Sequence, residues 1–347
     1  MRRVGARRGR PLVTVAMAAR NAEEYVEKAL ASLARQTLED LEVVVIDDAS
    51  TDRTSERVRA VGRSDGRIRL RTLRENRGQA AALNLAVAEA RGRYLAVLDA
   101  DDEATEGRLA LQVAAFGRDG ALVLVGGSVR TYCDHHARPG QVWRYACRDA
   151  VIRVRNLFKS EFISGAMCFD LEKLRRHGLG FDPRLKLGTD WDLANRSMRV
   201  GEVANVPEVV MHYRIHPGQM TAGMIDDTRS DSARIRVEAL RHLGVEPTEE
   251  ELRTHLAVSP CNYWAFGAHP YFRAARATIA RDAARWFGVL LRAARRTRRV
   301  PPAELESYLA EIASLIQAEL ASDELRELAA FCPVSAPWPC LKERPCR

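Results

Sequence analysis

Long apolar runs are missing from this chain. Nowhere in its 347 residues does a stretch approach the roughly 18–20 apolar residues that a membrane-crossing helix requires. Cysteine is present without pattern. The seven are odd in number, contain no Cys-x-x-Cys pair, and lie scattered at Cys133, Cys147, Cys168 and Cys261 before a closer trio, Cys332, Cys340 and Cys346. That spacing excludes a disulfide framework and a recognisable zinc site, and reduced thiols in the cytoplasm are the expectation. Aromatics make up only 6% of the chain, and no nucleic-acid motif accompanies its basic clusters, Arg2, Arg3, Arg7, Arg8, Arg10 and Arg292–Arg299. The net charge of +8 therefore reads as solvated basic segments, and no nucleic-acid partner is expected. Internal repeats are absent as well.

What is present has the ordinary balance of a soluble globular protein, 46% hydrophobic and 29% charged, and the length suggests two domains. The basic start followed by the apolar run Leu12–Ala19 imitates a secretory signal. A first strand over Leu12–Met17 is the better reading, because a well-formed amphipathic helix bearing Tyr25, Ala29, Ser32 and Leu33 follows the loop Ala18–Asn21. A valine-rich second strand, Glu42–Ile46, ends at Asp47-Asp48-Ala49-Ser50, with Ser50 or Thr51 able to cap a helix from about Asp52. The third strand, Ile68–Leu73, alternates apolar residues with arginine and suits a sheet edge. Asn76 and Gln79 have capping-box spacing before a helix carrying Leu83, Val87 and Ala90. A fourth strand, Tyr94–Leu98, runs straight into Asp99, Asp101 and Asp102; its unbroken apolar character predicts burial on both faces. A helix over Glu106–Phe116 and a fifth strand, Ala121–Val125, closed by Gly126-Gly127, complete the series. Strand–helix alternation at this spacing predicts an α/β fold with a doubly wound, mostly parallel sheet.

Beyond it, Thr131–Phe158 reads as irregular, Phe162–Phe169 as a strand with a glycine break, and Leu171–His177 as a helix. Leu187–Asp192 opens a further helix, and one or two strands lie near Val206–Ile215. From Asp226 the pattern turns helical. Thr248 and Glu251 form a candidate capping box, Tyr271–Arg296 is amphipathic, and Leu305, Leu309, Ile312, Ile316 and Leu320 continue an antiparallel helical hairpin. The expected organisation is a basic tail over 1–10, an α/β domain over 11–225 with halves at 11–127 and 128–225, a smaller all-α region over 226–331, and a Pro- and Cys-bearing tail over 332–347.

Acids recur at strand ends, where open parallel sheets bind ligands. Asp99, Asp101 and Asp102 have no basic neighbour in sequence. Hard divalent cations take such carboxylates together with substrate phosphates, so a metal–diphosphate site is one reading and a polar turn before a helix is the other. Taken alone, Asp190 could simply be an early-helix acid, and a lone histidine such as His216 is more often structural than a ligand.

The motifs taken in order resemble the family 2 glycosyltransferases, which have the nucleotide-diphospho-sugar transferase fold called GT-A. The residues that carry the likeness are Asn21 and Tyr25, Asp47 to Asp52, Asn76-x-Gly78 with Asn84, Leu98 to Asp102, Ser164-Gly165, Thr189 to Leu193, and Tyr213-Arg214-x-His216 followed by Met220-Thr221. The resemblance covers about Leu12 to Thr221. It implies that Ala18, Ala19, Arg20, Asn21, Asp48, Gly78, Asp99, Ala100 and Arg214 bind a nucleotide-diphospho-sugar, with Asp48 on the base. Asp99, Asp101 and His216 would hold Mn2+ or Mg2+. Asp190 would be the general base of an inverting transfer, and Ser164, Gly165 and Trp191 would face the acceptor. Two departures stand out: Ala18-Ala19-Arg20 where members usually have Pro-Thr-Tyr, and Thr189 before Asp190 where they usually have Glu.

The donor would be a UDP- or dTDP-sugar, and the acceptor a saccharide, a natural product, a lipid-linked glycan or a peptide. The missing membrane span argues against a processive synthase. The expected location is cytoplasmic, with peripheral contact at the inner membrane face and a homodimer through the helical region as open readings. A sugar-nucleotide pyrophosphorylase lacks its Gly-rich, basic phosphate loop here. A non-catalytic sugar-nucleotide binder or scaffold remains the alternative from another class.

Overall fold

A computed structural model of the chain describes residues 10–133, 140–219, 225–259 and 275–321, with 225–230 and 321 as backbone alone. The terminal cysteines, Met220 and Thr221, and the first part of the expected amphipathic segment, 271–274, lie outside the described residues. The chain divides into two compact units: Met1–Ile152 with Glu161–Ser232, and Arg153–Ser160 with Ala233–Arg347.

The first unit is built on a nine-stranded sheet, among the described residues. Strands β1 (Val13–Ala19), β2 (Leu41–Asp47), β3 (Ile68–Thr72) and β4 (Tyr94–Val97) form its parallel half in the order β3-β2-β1-β4. The arginine-bearing β3 sits at the edge, as its alternation predicts. Helices α1 (Val26–Ala34), α2 (Thr54–Ser64) and α3 (Gln79–Glu89) connect these strands, in the crossover arrangement that parallel pairing demands. The sheet then changes character. The two-residue β5 (Glu103–Ala104) is followed by α4 (Arg108–Arg118), the long β6 (Leu122–Tyr132), β7 (Val142–Trp143), α5 (Asp149–Arg155), β8 (Cys168–Asp170), α6 (Leu171–Arg176), α7 (Thr189–Ser197) and β9 (Glu202–Arg214). β8 inserts antiparallel between β4 and β6, β6 pairs parallel with β9, and β9 pairs antiparallel with β5.

Period-two patterning explains the layers. Val13, Val15, Met17, Val43, Val45 and Ala96 face one core with Val26, Leu30, Leu33, Val58 and Leu109. Ala16, Val44, Ile46, Leu95 and Val97 face the other with Leu83, Ala86, Leu171, Leu174 and Leu193. The central strands are covered on both sides, and each fully buried Val or Leu is worth about 1.5–3 kcal/mol relative to exposure.

Several elements differ from expectation. Gly126 and Gly127 do not close a strand; they lie inside β6. A Cβ on Gly126 would stand 2.1 Å from Asn205 Oδ1, and one on Gly127 2.7 Å from Val210, so glycine here permits close approach of β9 and Phe162. The strand expected near Val206–Ile215 is one long element starting at Glu202. Helix α2 starts at Thr54, and neither Ser50 nor Thr51 caps it: Asp52 Oδ1 accepts from the Thr54 amide at 3.0 Å. The Asn76–Gln79 box does not form either. Gly78, at φ 84°, precedes α3, and the Gln79 side chain is drawn elsewhere.

The second unit is helical: α8 (Ile225–Leu243), α9 (Glu249–Val258), α10 (Ile279–Thr297) and α11 (Pro302–Ala321) among the described residues. Its core joins Leu240, Val258, Ile279, Trp286, Leu290, Leu305, Leu309 and Ile312 with Leu157 and Phe158. The Thr248–Glu251 capping box is present with both bonds. No described helix is long and apolar enough to cross a membrane.

Candidate active site

The carboxyl ends of β1, β2 and β4 open on one side of the parallel half, and the loops there are tied together by their own polar side chains. Asn21, at φ 47°, accepts the Thr51 amide on Oδ1 at 2.9 Å while its own amide donates to Ser50 Oγ at 3.0 Å. The Ala22 amide donates to Thr54 Oγ1, and the Glu23 amide to Asp52 Oδ2. The loop after β1 is thus laced to the loop after β2. Ala19 is buried, Ala18 half-buried and Arg20 exposed. Asp47 is buried and local, accepting from the Ser50 amide at 2.9 Å and from Ser55 Oγ.

Asp48 has a wider reach. It is 3% exposed, and its two oxygens accept the amides of Arg77 at 2.7 Å and Gly78 at 2.8 Å. The carboxylate expected to meet a base therefore also fixes the loop that enters α3. Gln79, the first residue of that helix, donates from Nε2 to Asp99 Oδ1 at 3.1 Å. Asn84 is a brace further along, exchanging bonds of 2.8 and 2.9 Å with the backbone of Phe181.

At the end of β4 the acids divide their work. Burial, together with the charges of Asp101 and Asp190, pushes the Asp99 carboxyl up to about 7. Asp101 is half-exposed and meets His216: Oδ2 and Nε2 are 3.0 Å apart. The reason is topological. β5 pairs with β9 at Glu103–His212, which lays the acid turn along β9, and His216 follows two residues after β9 ends, against the Tyr25 ring.

Asp102 is 1% exposed; Oδ1 accepts the Arg214 amide at 2.8 Å and Oδ2 has no partner. Burial first, then Asp101 and Asp99, raise its carboxyl well above the usual range. Arg214, expected to contact the donor, makes the following contacts within the protein. Its guanidinium is sandwiched between the Tyr25 and Tyr132 rings, donates to the Asp101 carbonyl at 2.8 Å and to Glu103 at 3.1 Å, and has a 1% exposed side chain. It clamps the acid turn from behind.

The base candidate approaches through one short turn. Gly188, at φ 73°, starts α7 and places Asp190 in its first turn. Asp190 Oδ1 accepts the Trp191 amide at 2.9 Å, and Oδ2 accepts the Ser164 amide at 3.2 Å. Burial raises the Asp190 carboxyl, against the pull of these amides. Ser164 belongs to a 3-10 turn, Ser164–Ala166, whose next residue, Gly165, leaves no room for a side chain: a Cβ would lie 2.8 Å from Met211 Sδ and 3.1 Å from Asp99 Oδ2. Trp191 is 6% exposed, so the indole expected to face an acceptor presents little surface. Ala100 is likewise buried in the core.

Sequence reasoning missed Arg108. This arginine is fully buried, donates to the Val97 carbonyl at 2.7 Å and to Gln112 Oε1 at 3.1 Å, and keeps Nη1 without a partner. Burial lowers it to about 10 while Cys168, Asp99 and Asp102 pull upward. The acids do have a basic neighbour, then, but in space. The i, i+4 pair Arg108–Gln112 on an apolar helix face was the available signal.

Whether a divalent ion fits can be judged from the donors present. Among the described residues no three His, Cys, Asp or Glu side chains gather as a ready-made metal site, so Asp99, Asp101 and His216 do not form a complete cage. Asp101 and His216 do meet, and Asp99 and Asp190 crowd negative charge beside them. Two protein ligands with substrate phosphates completing the shell is the usual arrangement for magnesium-type ions, and the donors suit it.

The fold is of the GT-A type, and the comparisons point to the same class of domain. Residues 14–176, a little under half of the chain, match the family model "Glycosyl transferase family 2". An "Uncharacterized glycosyltransferase" of Haemophilus influenzae is 27% identical over 231 residues, covering 65% of this chain and 71% of the relative. The "Succinoglycan biosynthesis protein ExoO" of Rhizobium meliloti is 33% identical over 224 residues, covering 61% of this chain and 63% of the relative. In fold, the chain is similar to residues 1–349 of S. aureus TarS in complex with UDP-GlcNAc, at TM-score 0.56 and 18% identity, with 89% of each chain covered. It is also similar to the mannosyltransferase PcManGT from Pyrobaculum calidifontis in complex with GDP-Man and Mn2+, at TM-score 0.50 and 22% identity, covering 93% of this chain and 89% of that one.

Proposed function

We propose that this chain transfers a glycosyl group from a nucleotide-diphospho-sugar, a UDP- or dTDP-sugar, to a hydroxyl of a saccharide acceptor, with inversion and with Asp190 as general base. One observation carries the reading. The Ser164–Ala166 turn holds Asp190 through the Ser164 amide and packs Gly165 against Asp99, so base and acid turn share one wall. Asp190 is close enough to raise the Asp99 carboxyl. Support for the donor class comes from neighbours bound to UDP-GlcNAc and GDP-Man with Mn2+, and for a saccharide acceptor from the relative named for succinoglycan biosynthesis.

In the reaction, Asp190 takes the proton of the acceptor hydroxyl as that oxygen bonds the anomeric carbon from one face. The bond from that carbon to the diphosphate oxygen breaks on the other, and the electron pair leaves with the nucleoside diphosphate. A carboxylate whose pKa is raised by burial is a stronger base than a solvated one, which suits this task. Asp101 and His216, with Asp99, would hold Mn2+ or Mg2+, which when bound supplies neutralisation of the departing diphosphate's charge. Asp48 fixes the loop bearing Gly78 against the nucleoside side, and Arg214 keeps the acid turn in place from behind.

Transfer assays with a panel of nucleotide sugars and Mn2+ test this. Asp190→Asn is expected to keep the thermal shift given by UDP with Mn2+ and to lose transfer by about 10²–10⁴-fold. Normal transfer by that variant moves the base elsewhere. Asp101→Ala is expected to abolish the Mn2+-dependent part of the shift, and full metal response there removes Asp101 from the metal role.

A further inference from the structure

Helix α10 presents two opposite faces. Ile279, Ala283, Trp286, Leu290, Ala293 and Ala294 are buried in the helical unit's core. At 100° per residue, Arg281, Arg285, Arg292, Arg295 and Arg296 fall within an arc of about 100° on the opposite side, and the row spans roughly 22 Å. All five are exposed. Two have carboxylate partners at the surface, Arg281 with Asp282 at 3.2 Å and Arg295 with Glu306 at 3.5 Å. Arg285, Arg292 and Arg296 form no ion pair with any described residue, and Arg298 and Arg299 extend the positive charge past the helix end.

We propose that this arginine face docks on an anionic phospholipid bilayer. The shape and chemistry favour a flat lipid surface. The charges lie in a straight row on one helix, with Gly288 in its middle. The half-buried aliphatics Val289 and Leu291 flank the row on either shoulder and pack against the unit's core, so the surface between them is carried by the guanidinium groups, which can reach phosphates. Trp286 and Phe287 point into the core, so no aromatic ring of this helix stands among the arginines to stack a nucleic-acid base. A second copy of the same face would meet like charge. The net basic charge of the chain, +8, acts in the same direction.

The test is co-sedimentation of the full chain with vesicles of phosphatidylcholine alone and of phosphatidylcholine with 30% phosphatidylglycerol, at low and at physiological salt. Binding to the anionic vesicles only, weakened by salt, is expected. The triple variant Arg281→Gln/Arg285→Gln/Arg292→Gln should bind them at least about tenfold more weakly, since each arginine near such a surface adds several-fold. A control that removes charge from the other unit, Arg63→Gln/Arg118→Gln, should bind like wild type; both replaced residues are exposed. Equal loss in the two variants reduces the effect to net charge and overturns the proposal. So does binding to a soluble anionic polymer, dextran sulfate, with none to vesicles. Circular dichroism melting checks that the triple variant is folded. Transfer to a soluble acceptor is unaffected by the triple variant, so failure of the membrane proposal is separable from failure of the catalytic reading.

Discussion

His255 makes the helical unit's stability depend on pH in a way that can be worked out from the structure. The ring is fully buried between Phe158 and Trp286. Trp286 Nε1–H donates to Nδ1 at 3.1 Å, so Nδ1 is the bare nitrogen and Nε2–H donates to the Leu157 carbonyl at 3.0 Å. A proton on Nδ1 would confront the indole N–H. Burial, with the charge of Arg236 adding to it, lowers the imidazole from 6.5 to about 3. The unfolded chain therefore binds a proton below pH 6.5 that the folded chain refuses until near pH 3. Stability is complete above 6.5 and falls as pH drops through that window, by about 2 kcal/mol at pH 5. At that pH a folded value of 4 in place of 3 changes the result by less than about 0.1 kcal/mol. The raised carboxyls of Asp99, Asp102 and Asp190 also titrate in this range but are common to both proteins, so comparison with His255→Gln isolates the histidine: the wild type should lose about 2 kcal/mol more than the variant between pH 8 and pH 5 in urea unfolding. An independent reading comes from NMR, where the His255 ring resonance should not titrate above pH 5. A midpoint near 6.5, or identical pH slopes in wild type and variant, would refute the assignment.

Other perturbations separate packing from chemistry. Gly92→Ala places a Cβ 2.4 Å from the Thr14 nitrogen and 2.7 Å from the Tyr94 oxygen, backbone that cannot swing aside, so a loss of at least about 1–3 kcal/mol and a lowered melting temperature are expected; an unchanged melting curve would contradict the β1–β4 register. Asp48→Asn can accept only one of the Arg77 and Gly78 amides while its NH2 group faces the other, which should raise the donor KM several-fold with kcat little altered; a pure kcat effect would mean Asp48 acts in the chemical step. Arg108→Met removes the 2.7 Å bond to the buried Val97 carbonyl, while the Met167 carbonyl keeps the Val97 amide at 2.9 Å; a cost of about 1–3 kcal/mol is expected, read by thermal denaturation, and a variant as stable as wild type would show that the Val97 bond contributes nothing.

The parallel half of the fold is readable because its signals are local. Strands covered on both faces must be largely apolar, and Leu95–Leu98 and Val43–Ile46 are. The glycine pair at 126–127 failed for the opposite reason. Glycine in a turn and glycine beneath a crossing side chain look the same in sequence, and the atoms that decide, Asn205 and Phe162, lie far along the chain. Capping shows the same limit on a smaller scale. Thr248 and Glu251 had no competing partner and formed their box, whereas Gln79 had Asp99 within reach and Gly78 took a positive φ, so an identical spacing gave a different structure.

The acid turn is the instructive case. Its first signal was carboxylates with no basic neighbour, a premise that the structure corrects: Arg108 and Arg214 both lie against it. Yet neither arginine removes the reason to expect a cation. Arg214 donates to the Asp101 carbonyl and to Glu103, and Arg108 uses Nε and Nη2 on Gln112, Val97 and Met167 while its Nη1 has no hydrogen-bond partner. The carboxyls of Asp99 and Asp102 are pushed upward in spite of both, by burial and by the neighbouring acids. Buried guanidiniums thus hold the turn in shape while compensating its charge only in part. A rigid, under-neutralised acid turn facing His216 is what a divalent ion shared with a diphosphate requires, because the protein then supplies position and the substrate supplies the remaining ligands.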